Sequence, residues 1–172
     1  MPAAGLNEMV VESVRVHMLS SQHVVILRDA VRERYLPIWI GPWEANAIAM
    51  RLQGVTPERP MTHDLFSVTL SELGVTIRQI VVSDLADDTF RARLFLELDG
   101  RAVDVDARPS DAIALAVRTG VPIYATDAVL DRAAVVPESE DEEKLAPFRN
   151  FVNSLDFDLP EEEGGESKRP LD

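Results

Sequence analysis

The chain has 172 residues, 46% apolar and 27% charged, a composition typical of a single soluble domain with its own core. It contains no cysteine, which excludes disulfides, thiolate metal sites and cysteine nucleophiles and favours a reducing compartment. The formal net charge of −13 disfavours nonspecific binding to nucleic acid, because a polyanion is attracted by clustered Lys and Arg.

The N-terminal region is predicted to form three strands and one helix. Residues 9–19 and 23–27 are rich in β-branched and apolar residues and flank a Ser-Ser-Gln turn, which predicts a hairpin. Residues 34–40 predict a third strand, in which Pro37 indicates an edge or a bulge because proline cannot donate a ladder hydrogen bond. Pro42 suits the first position of a helix that Gly54 ends.

The middle of the chain is predicted to contain helices and strands in an irregular order. Thr62 is the expected N-cap of a helix over residues 63–73. Strands are expected at about 75–83, 89–98 and 102–107, the last two joined by an Asp99-Gly100 turn. Pro109 opens a helix that is apolar nearly all round, so we expect it to be buried. A short strand at 121–125 and a helical turn or two at 127–134 follow.

The C-terminal region is predicted to differ from the domain before it. Residues 136–157 are interpreted as an acidic linker and a helix at 147–155 that packs on the domain. Residues 158–172 are expected to be disordered, because so polar a sequence buries too little apolar surface to offset its ordering entropy. Residues 138–172 hold twelve acidic and four basic residues, which leaves only −5 for residues 1–137.

The order of the predicted elements indicates the fold class. Strands and helices do not alternate as in a doubly wound sheet, so residues 1–135 are predicted to form an α+β domain with a mixed sheet of about seven strands and four to five helices. The first nine residues lack the features of a secretory signal, and no stretch approaches the ~20 apolar residues of a membrane helix. We therefore expect a cytoplasmic protein that does not bind membranes.

The first candidate cluster is the sequence RPMTHD at residues 59–64, at the start of a predicted helix. Backbone amides at a helix N-terminus attract anions, Arg59 can grip phosphate oxygens and His63 can transfer a proton near neutral pH. Helix capping is the alternative for Thr62 and Asp64, with Arg59 as the ion-pair partner of Asp64. Both interpretations of His63 stay open.

The second candidate cluster is RPSD at residues 108–111, directly after a strand. Asp104 and Asp106 precede it on one face of that strand, so three carboxylates and the Ser110 hydroxyl resemble an oxygen-ligand set for a hard divalent cation. A solvated strand face is the favoured interpretation of Asp104 and Asp106. Arg108 and Asp111 need partners beside so apolar a helix and can be each other's. Glu44, near the start of another helix, carries the same ambiguity.

Three ordered motifs resemble the bifunctional nuclease (BFN, DUF151) family: residues 36–41 (LPIWIG) with Glu44, residues 59–65 (RPMTHDL), and residues 107–116 (ARPSDAIALA) with Pro122, Ile123 and Tyr124. The resemblance covers about residues 9–135. It implies a mixed α+β domain of unusual topology, frequent oligomerisation and nuclease activity on DNA and RNA. The family's characteristic polar positions fall on Glu44, Arg59, His63, Asp64, Arg108, Ser110 and Asp111.

The leading hypothesis is therefore a metal-assisted phosphodiester hydrolase that forms a homo-oligomer, with a dimer favoured. In it, Mg²⁺ or Mn²⁺ is held by Asp64, Asp111 and Glu44, phosphate is bound by Arg59, Arg108 and Ser110, and protons are moved by His63 with Asp64 and Asp111. This requires the two clusters to meet in space. The alternatives are an oligomeric regulatory module that binds a nucleotide or another anion, and a scaffold in which both clusters are structural ion pairs.

Overall fold

The computed structural model describes residues 4–137 and 155–156, and its framework is one mixed sheet that carries four helices. The strands are β1 Leu6–His17, β2 Gln22–Asp29, β3 Tyr35–Ile40, β4 Val75–Ala86, β5 Thr89–Leu98, β6 Arg101–Ala107, β7 Ile123–Thr126 and β8 Leu155–Asp156. The helices are α1 Pro42–Leu52, α2 Thr62–Glu72, α3 Pro109–Thr119 and α4 Asp127–Ala133.

The sheet consists of two antiparallel halves joined by a short strand. Its order is β3-β2-β1-β7-β4-β5-β6, and β8 pairs with the far end of β1. β7 pairs antiparallel with β1 and parallel with β4, and the other neighbouring strands are antiparallel. The predicted mixed-sheet α+β fold is confirmed.

Turn and breaker residues explain several of the element boundaries. Pro37 lies in β3, the edge strand, where a missing donor is tolerated as predicted. Asp99 and Gly100 both have positive φ, 50° and 74°, the geometry that a two-residue hairpin between β5 and β6 requires. Gly120, with φ of 72°, ends α3 in the left-handed conformation that glycine adopts without strain.

One prediction about local structure is wrong, and two others fall mainly on residues that the structure does not describe. Thr62 is not the N-cap of α2: Met61 occupies that position, and the Asp64 carboxylate accepts from the Met61 backbone N–H at 2.9 Å. The carboxylate at the third position of the helix therefore performs the capping that the sequence assigned to the Thr62 hydroxyl. The helix predicted at 147–155 lies outside the described residues except for Leu155, which belongs to β8 instead. The predicted acidic tail at 158–172 also lies outside them.

Helix α3 is the centre of the core, as its apolar sequence predicts. Five consecutive residues from Ala112 to Ala116 are at most 3% exposed, and the helix packs on α1, α2, β4 and β5. Its position between α1 and α2 brings the N-terminus of α3 beside those helices. None of the described helices is long and apolar enough to cross a membrane.

Candidate functional site

A chain of hydrogen bonds joins side chains from three helix starts. The His63 Nε2 atom lies 2.9 Å from Asp111 Oδ1. The Arg108 guanidinium donates from Nε to Asp111 Oδ2 at 2.9 Å and from Nη2 to Glu44 Oε1 at 2.8 Å. The two sequence clusters therefore meet in space, because His63 comes from the first and Arg108 and Asp111 from the second.

The same local geometry supplies an acid at each of the three helix starts. Glu44, Asp64 and Asp111 are each the third residue of their helix, and the residue before each helix has extended backbone. Acidic side chains in a first helical turn are stabilised by the helix dipole and by the free backbone amides there. Because α3 packs between the other two helices, Asp111 can reach α2 while Arg108 reaches α1.

The polar contacts set the charge state of Asp111. Burial alone would raise the pKa of this carboxyl, but the hydrogen bonds from His63 and Arg108 outweigh that effect and hold the pKa below its ordinary value. Asp111 is therefore an anion at neutral pH. The hydrogen bonds to Asp111 and Glu44 also raise the pKa of Arg108, which stays a cation. An anionic Asp111 is suited to orient the His63 ring.

The site is buried at one end and open at the other. The exposed fractions of the side chains are 13% for His63, 15% for Glu44, 34% for Asp111 and 65% for Arg108. Arg108 uses two of its five N–H groups on described residues, which leaves three for solvent or a ligand. His63 Nδ1 has no hydrogen-bond partner among the described residues, and none of their fully buried polar side-chain atoms is unpaired, so Nδ1 reaches solvent.

Asp64 does not take part in this chain of hydrogen bonds and pairs with a different arginine. Its Oδ1 atom accepts from Arg118 Nε at 2.7 Å, and Arg118, only 8% exposed, also donates to the Ala114 carbonyl oxygen at 2.9 Å. Burial raises the pKa of Asp64, but the Met61 N–H and Arg118 outweigh it and lower the pKa. Asp64 therefore ties the start of α2 to α3, and the partner is Arg118 rather than the Arg59 expected from the sequence.

The other two predicted phosphate ligands differ in their surroundings. Arg59 is exposed and makes no hydrogen bond or ion pair with any residue the structure describes. Ser110 is 5% exposed and lies beside Arg108 at the start of α3. The structure thus groups Glu44, His63, Arg108, Ser110 and Asp111, and it does not bring Arg59 or Asp64 into contact with the His63–Asp111 pair.

The predicted metal ligands are not assembled within the described ranges, 4–137 and 155–156. No group of three His, Asp or Glu side chains there is arranged to hold a metal ion. The Arg108 guanidinium bridges Glu44 and Asp111, while Asp64 pairs with Arg118. The residues present therefore do not fit the predicted Mg²⁺ or Mn²⁺ site in this conformation. Asp104 pairs with Arg93 on an exposed strand face, as the sequence favoured.

An open cleft of 530 Å³ borders the Arg108 end of the site. It is bordered by the turn between β1 and β2 with the start of β2, the end of β3, the turn between β4 and β5 with the start of β5, and the start of α3. Its lining includes Ile38, Trp39, Gly41, Phe90, Arg108 and Ser110.

Sequence reasoning missed two residues that shape the site. Arg118 lies seven residues, or two helical turns, after Asp111, so helical periodicity placed it on the same side of α3. Gly41 lies so close to the Glu44 carboxylate that a Cβ atom there would overlap Oε2. Only the Gly-Pro-x-Glu spacing of residues 41–44 signals this contact.

Comparison with known proteins identifies the family of the chain. The model of the bifunctional nuclease domain matches residues 25–138, about two thirds of the chain and the part that contains every side chain of the site. The chain therefore belongs to the bifunctional nuclease domain family.

The relatives include a bacterial protein that matches over nearly its whole length and plant proteins that match over about a third of theirs. The uncharacterized protein Rv1829 of Mycobacterium tuberculosis is 41% identical over 162 residues, which covers 89% of this chain and 97% of the relative. Bifunctional nuclease 1 of Arabidopsis thaliana is 31% identical over 91 residues, covering 51% of this chain and 28% of the plant protein. Bifunctional nuclease 1 of indica rice is 24% identical over 114 residues, covering 64% and 34%.

Proposed function

We propose that this protein is a nuclease that hydrolyses phosphodiester bonds in DNA or RNA, with the His63–Asp111 pair at its active site. The observation that carries this proposal is the 2.9 Å contact between His63 and Asp111, which joins the two polar clusters beside a solvent-exposed arginine. Membership of the bifunctional nuclease domain family and the names of the plant relatives support the substrate class.

Each side chain has a distinct role in this proposal. His63 acts as general base or acid through Nδ1, the nitrogen that faces solvent, while Asp111 accepts from Nε2 and fixes the tautomer. Arg108 binds the phosphate through its remaining N–H groups and stabilises the charge that develops there. Glu44 holds the guanidinium in place, and the Ser110 hydroxyl is a further donor to phosphate.

Arg59 and Asp64 support the proposed reaction without contacting the reacting phosphate. Arg59 is an exposed cation on the segment before α2 and binds the nucleic-acid backbone beyond the reacting phosphate. Asp64 positions His63 indirectly, since it anchors the first turn of α2 through Arg118 and the Met61 N–H.

Use of Mg²⁺ or Mn²⁺ stays part of the proposal and needs its own measurement. Glu44 and Asp111 offer oxygen ligands to a divalent ion only if Arg108 moves aside. A chelator titration of the cleavage rate, followed by addition of Mg²⁺ or Mn²⁺, separates a metal-dependent reaction from one that relies on His63 and Arg108 alone.

The decisive experiment measures cleavage of single-stranded and duplex DNA and RNA by purified protein. We expect His63→Gln and Asp111→Asn to lower the rate by about 10²- to 10⁴-fold, because general acid–base catalysis contributes that much. His17→Gln and Asp104→Asn are matched controls at the end of β1 and on an exposed face of β6, and both should keep the wild-type rate. Equal rates in all five proteins would assign the cleavage to a contaminant.

A regulatory module that binds nucleotides is the second candidate. The cleft of 530 Å³ beside the exposed Arg108 favours it, since such a cleft accommodates a small anionic ligand. Calorimetry separates the candidates: a regulatory module binds free nucleotide tightly and leaves oligonucleotides intact, whereas a nuclease binds and cuts the oligonucleotide.

We also propose a cytoplasmic location.

We further propose that the protein forms a homo-oligomer, most simply a dimer, through the outer face of α2. This helix has no buried residue, and it exposes Leu65, Phe66 and Val68, next to the exposed Leu73 that follows its last residue. Since the rest of the chain is acidic, an apolar face with few charges is where two copies can meet without repulsion. We expect Phe66→Glu to halve the mass in light scattering, whereas Val31→Glu, at an isolated exposed residue, should not. An unchanged mass in Phe66→Glu would rule out this interface.

A further inference from the structure

We infer that the cleft beside Arg108 is a base-binding subsite, which holds one unpaired nucleobase next to the phosphate bound by Arg108 and so directs the protein to single-stranded nucleic acid. This inference rests on the proposed nuclease function and specifies its substrate.

The cleft is polar at the start of α3, and elsewhere it combines apolar side chains with polar residues of two turns, Ser21, Gln22, His23, Asp88 and Thr89. Arg108 and Ser110 line it at the start of α3, while Ile38, Trp39 and Phe90 line it from β3 and β5. A nucleotide likewise combines an anionic phosphate, which suits Arg108, with a flat base, which suits the aromatic side chains. Aromatic side chains bind bases of any sequence by stacking, and an arginine next to them binds the backbone.

A buried hydroxyl independently indicates a ligand at the polar end. Ser110 is 5% exposed, and its hydroxyl makes no hydrogen bond to any described residue. None of their fully buried polar side-chain atoms lacks a partner, so this hydroxyl keeps a small contact with the cleft. A nearly buried donor without a protein partner is suited to a ligand atom that enters the cleft.

The size and the location of the cleft indicate an unpaired base. Its volume of 530 Å³ lies within the range of about 300–1,000 Å³ that is typical of small-ligand sites, which is enough for one nucleotide. Stacking on Trp39 or Phe90 in this cleft requires a base with a free face. A base inside a duplex cannot enter such a cleft unless it leaves the stack. Single strands, bulges and frayed ends are therefore the expected substrates.

The test compares an ordinary single-stranded oligonucleotide with one of the same length that carries abasic sites. Both have the same phosphates, and only the first has bases. In the His63→Gln protein, which is used so that binding is measured without cleavage, we expect the ordinary strand to bind about tenfold more tightly than the abasic strand, the effect of roughly one stacked base.

Substitutions of Phe90 test whether this side chain causes the tighter binding of the strand that has bases. Phe90→Ala should remove the tenfold difference and leave the affinity for the abasic strand unchanged. Phe90→Leu keeps apolar volume against the core, which guards against an unfolded variant, and it should also lose most of the difference. Phe95→Ala is the matched control, since Phe95 is an aromatic residue of the same strand that does not line the cleft, and it should behave as the parent does.

The outcomes distinguish this inference from the proposed function. If wild-type protein cleaves ordinary and abasic strands equally well, and His63→Gln abolishes both reactions, the nuclease proposal stands and the base-binding cleft is refuted. If binding depends on bases and on Phe90 but wild-type protein cleaves neither strand, the cleft stands and the nuclease proposal fails. Equal affinity for both strands in the parent, or full preference in both Phe90 variants, also refutes the cleft.

Discussion

At the scale of single residues, Gly41 controls where the Glu44 carboxylate lies. Gly41 precedes α1, and a Cβ atom there would overlap Oε2 of Glu44. The atom in the way is the end of a flexible side chain, so an added methyl group displaces that carboxylate and leaves the backbone in place. The contact from Glu44 to the Arg108 guanidinium then lengthens or is lost.

The prediction at this scale is a double-mutant cycle on Gly41 and Glu44. We expect Gly41→Ala to lower cleavage several-fold, to the level of Glu44→Gln, and the double variant to be no slower than either single variant. Two substitutions that remove one shared contact are not additive. Cleavage rates and urea midpoints of the four proteins are the measurement, with Glu72→Gln as a control outside the site. Additive losses would contradict a shared role.

Among the structural elements, the loop between β2 and β3 depends on one buried carboxylate. Asp29 is 3% exposed and accepts from the Val31 and Arg32 N–H groups at 2.9 and 3.1 Å and from Arg34 Nε at 2.7 Å. Arg34 also donates to Asn7 in β1 at 2.9 Å. The loop therefore folds back on the sheet through a buried ion pair.

Removing Asp29 should destabilise the protein far more than removing an exposed acid. Asp29→Ala leaves Arg34 buried without its charge partner, and we expect a loss of about 3–5 kcal/mol in the free energy of unfolding. Glu12→Ala breaks the exposed Glu12–Arg28 pair and should cost less than about 1 kcal/mol. Urea denaturation of the two variants measures both values. Comparable losses would show that Asp29 contributes no more than a surface contact.

Local patterns determined the elements of this fold but not their arrangement. Turn chemistry at Asp99-Gly100 and Gly120 and the apolar run of α3 were sufficient to predict the strands and helices at those places. The insertion of β7 between β1 and β4 was not predictable, because strand order depends on contacts between residues more than 100 positions apart. Short-range sequence carries no record of such pairing.

In the candidate site too, the local elements were predictable from the sequence, whereas their arrangement was not. Each helix start was recognised from its Pro, Arg and acidic residues, whereas the choice of partners was not. Asp64 pairs with Arg118 rather than the nearby Arg59, and it replaces Thr62 in capping α2. Both outcomes depend on how α2 docks against α3, a tertiary contact that no window of adjacent residues contains.

At the scale of the whole molecule, three carboxylates make the stability of the fold depend on pH in the acidic range. Burial raises the pKa of Asp29, Asp64 and Asp111, but hydrogen bonds from backbone amides, arginines or His63 outweigh it in each and lower the pKa. In the unfolded chain these groups return to about 3.9. The folded state thus binds fewer protons, and its stability is retained above that value and lost as pH falls through the lower folded pKa values.

We therefore expect the urea midpoint to be nearly constant from neutral pH to about 5 and to fall steadily below about 4. Protonation of the many exposed acids relieves repulsion and opposes this trend, but exposed charges are screened by solvent and salt. Asp29→Asn should flatten the decline, and Asp104→Asn, on an exposed strand, should not. A midpoint that rises on acidification would contradict the assignment.

The central position of β7 has a consequence for how the protein is made. The four residues of β7 join the N-terminal half of the sheet to the β4–β6 half, and in the part of the chain that the structure describes they are followed by α4 and β8. A nascent chain on the ribosome, or one truncated before residue 123, has unpaired edges on both β1 and β4, the kind of surface that recruits other chains. Completion of the sheet is therefore a late event in biosynthesis, and incomplete products should depend on chaperones or be degraded.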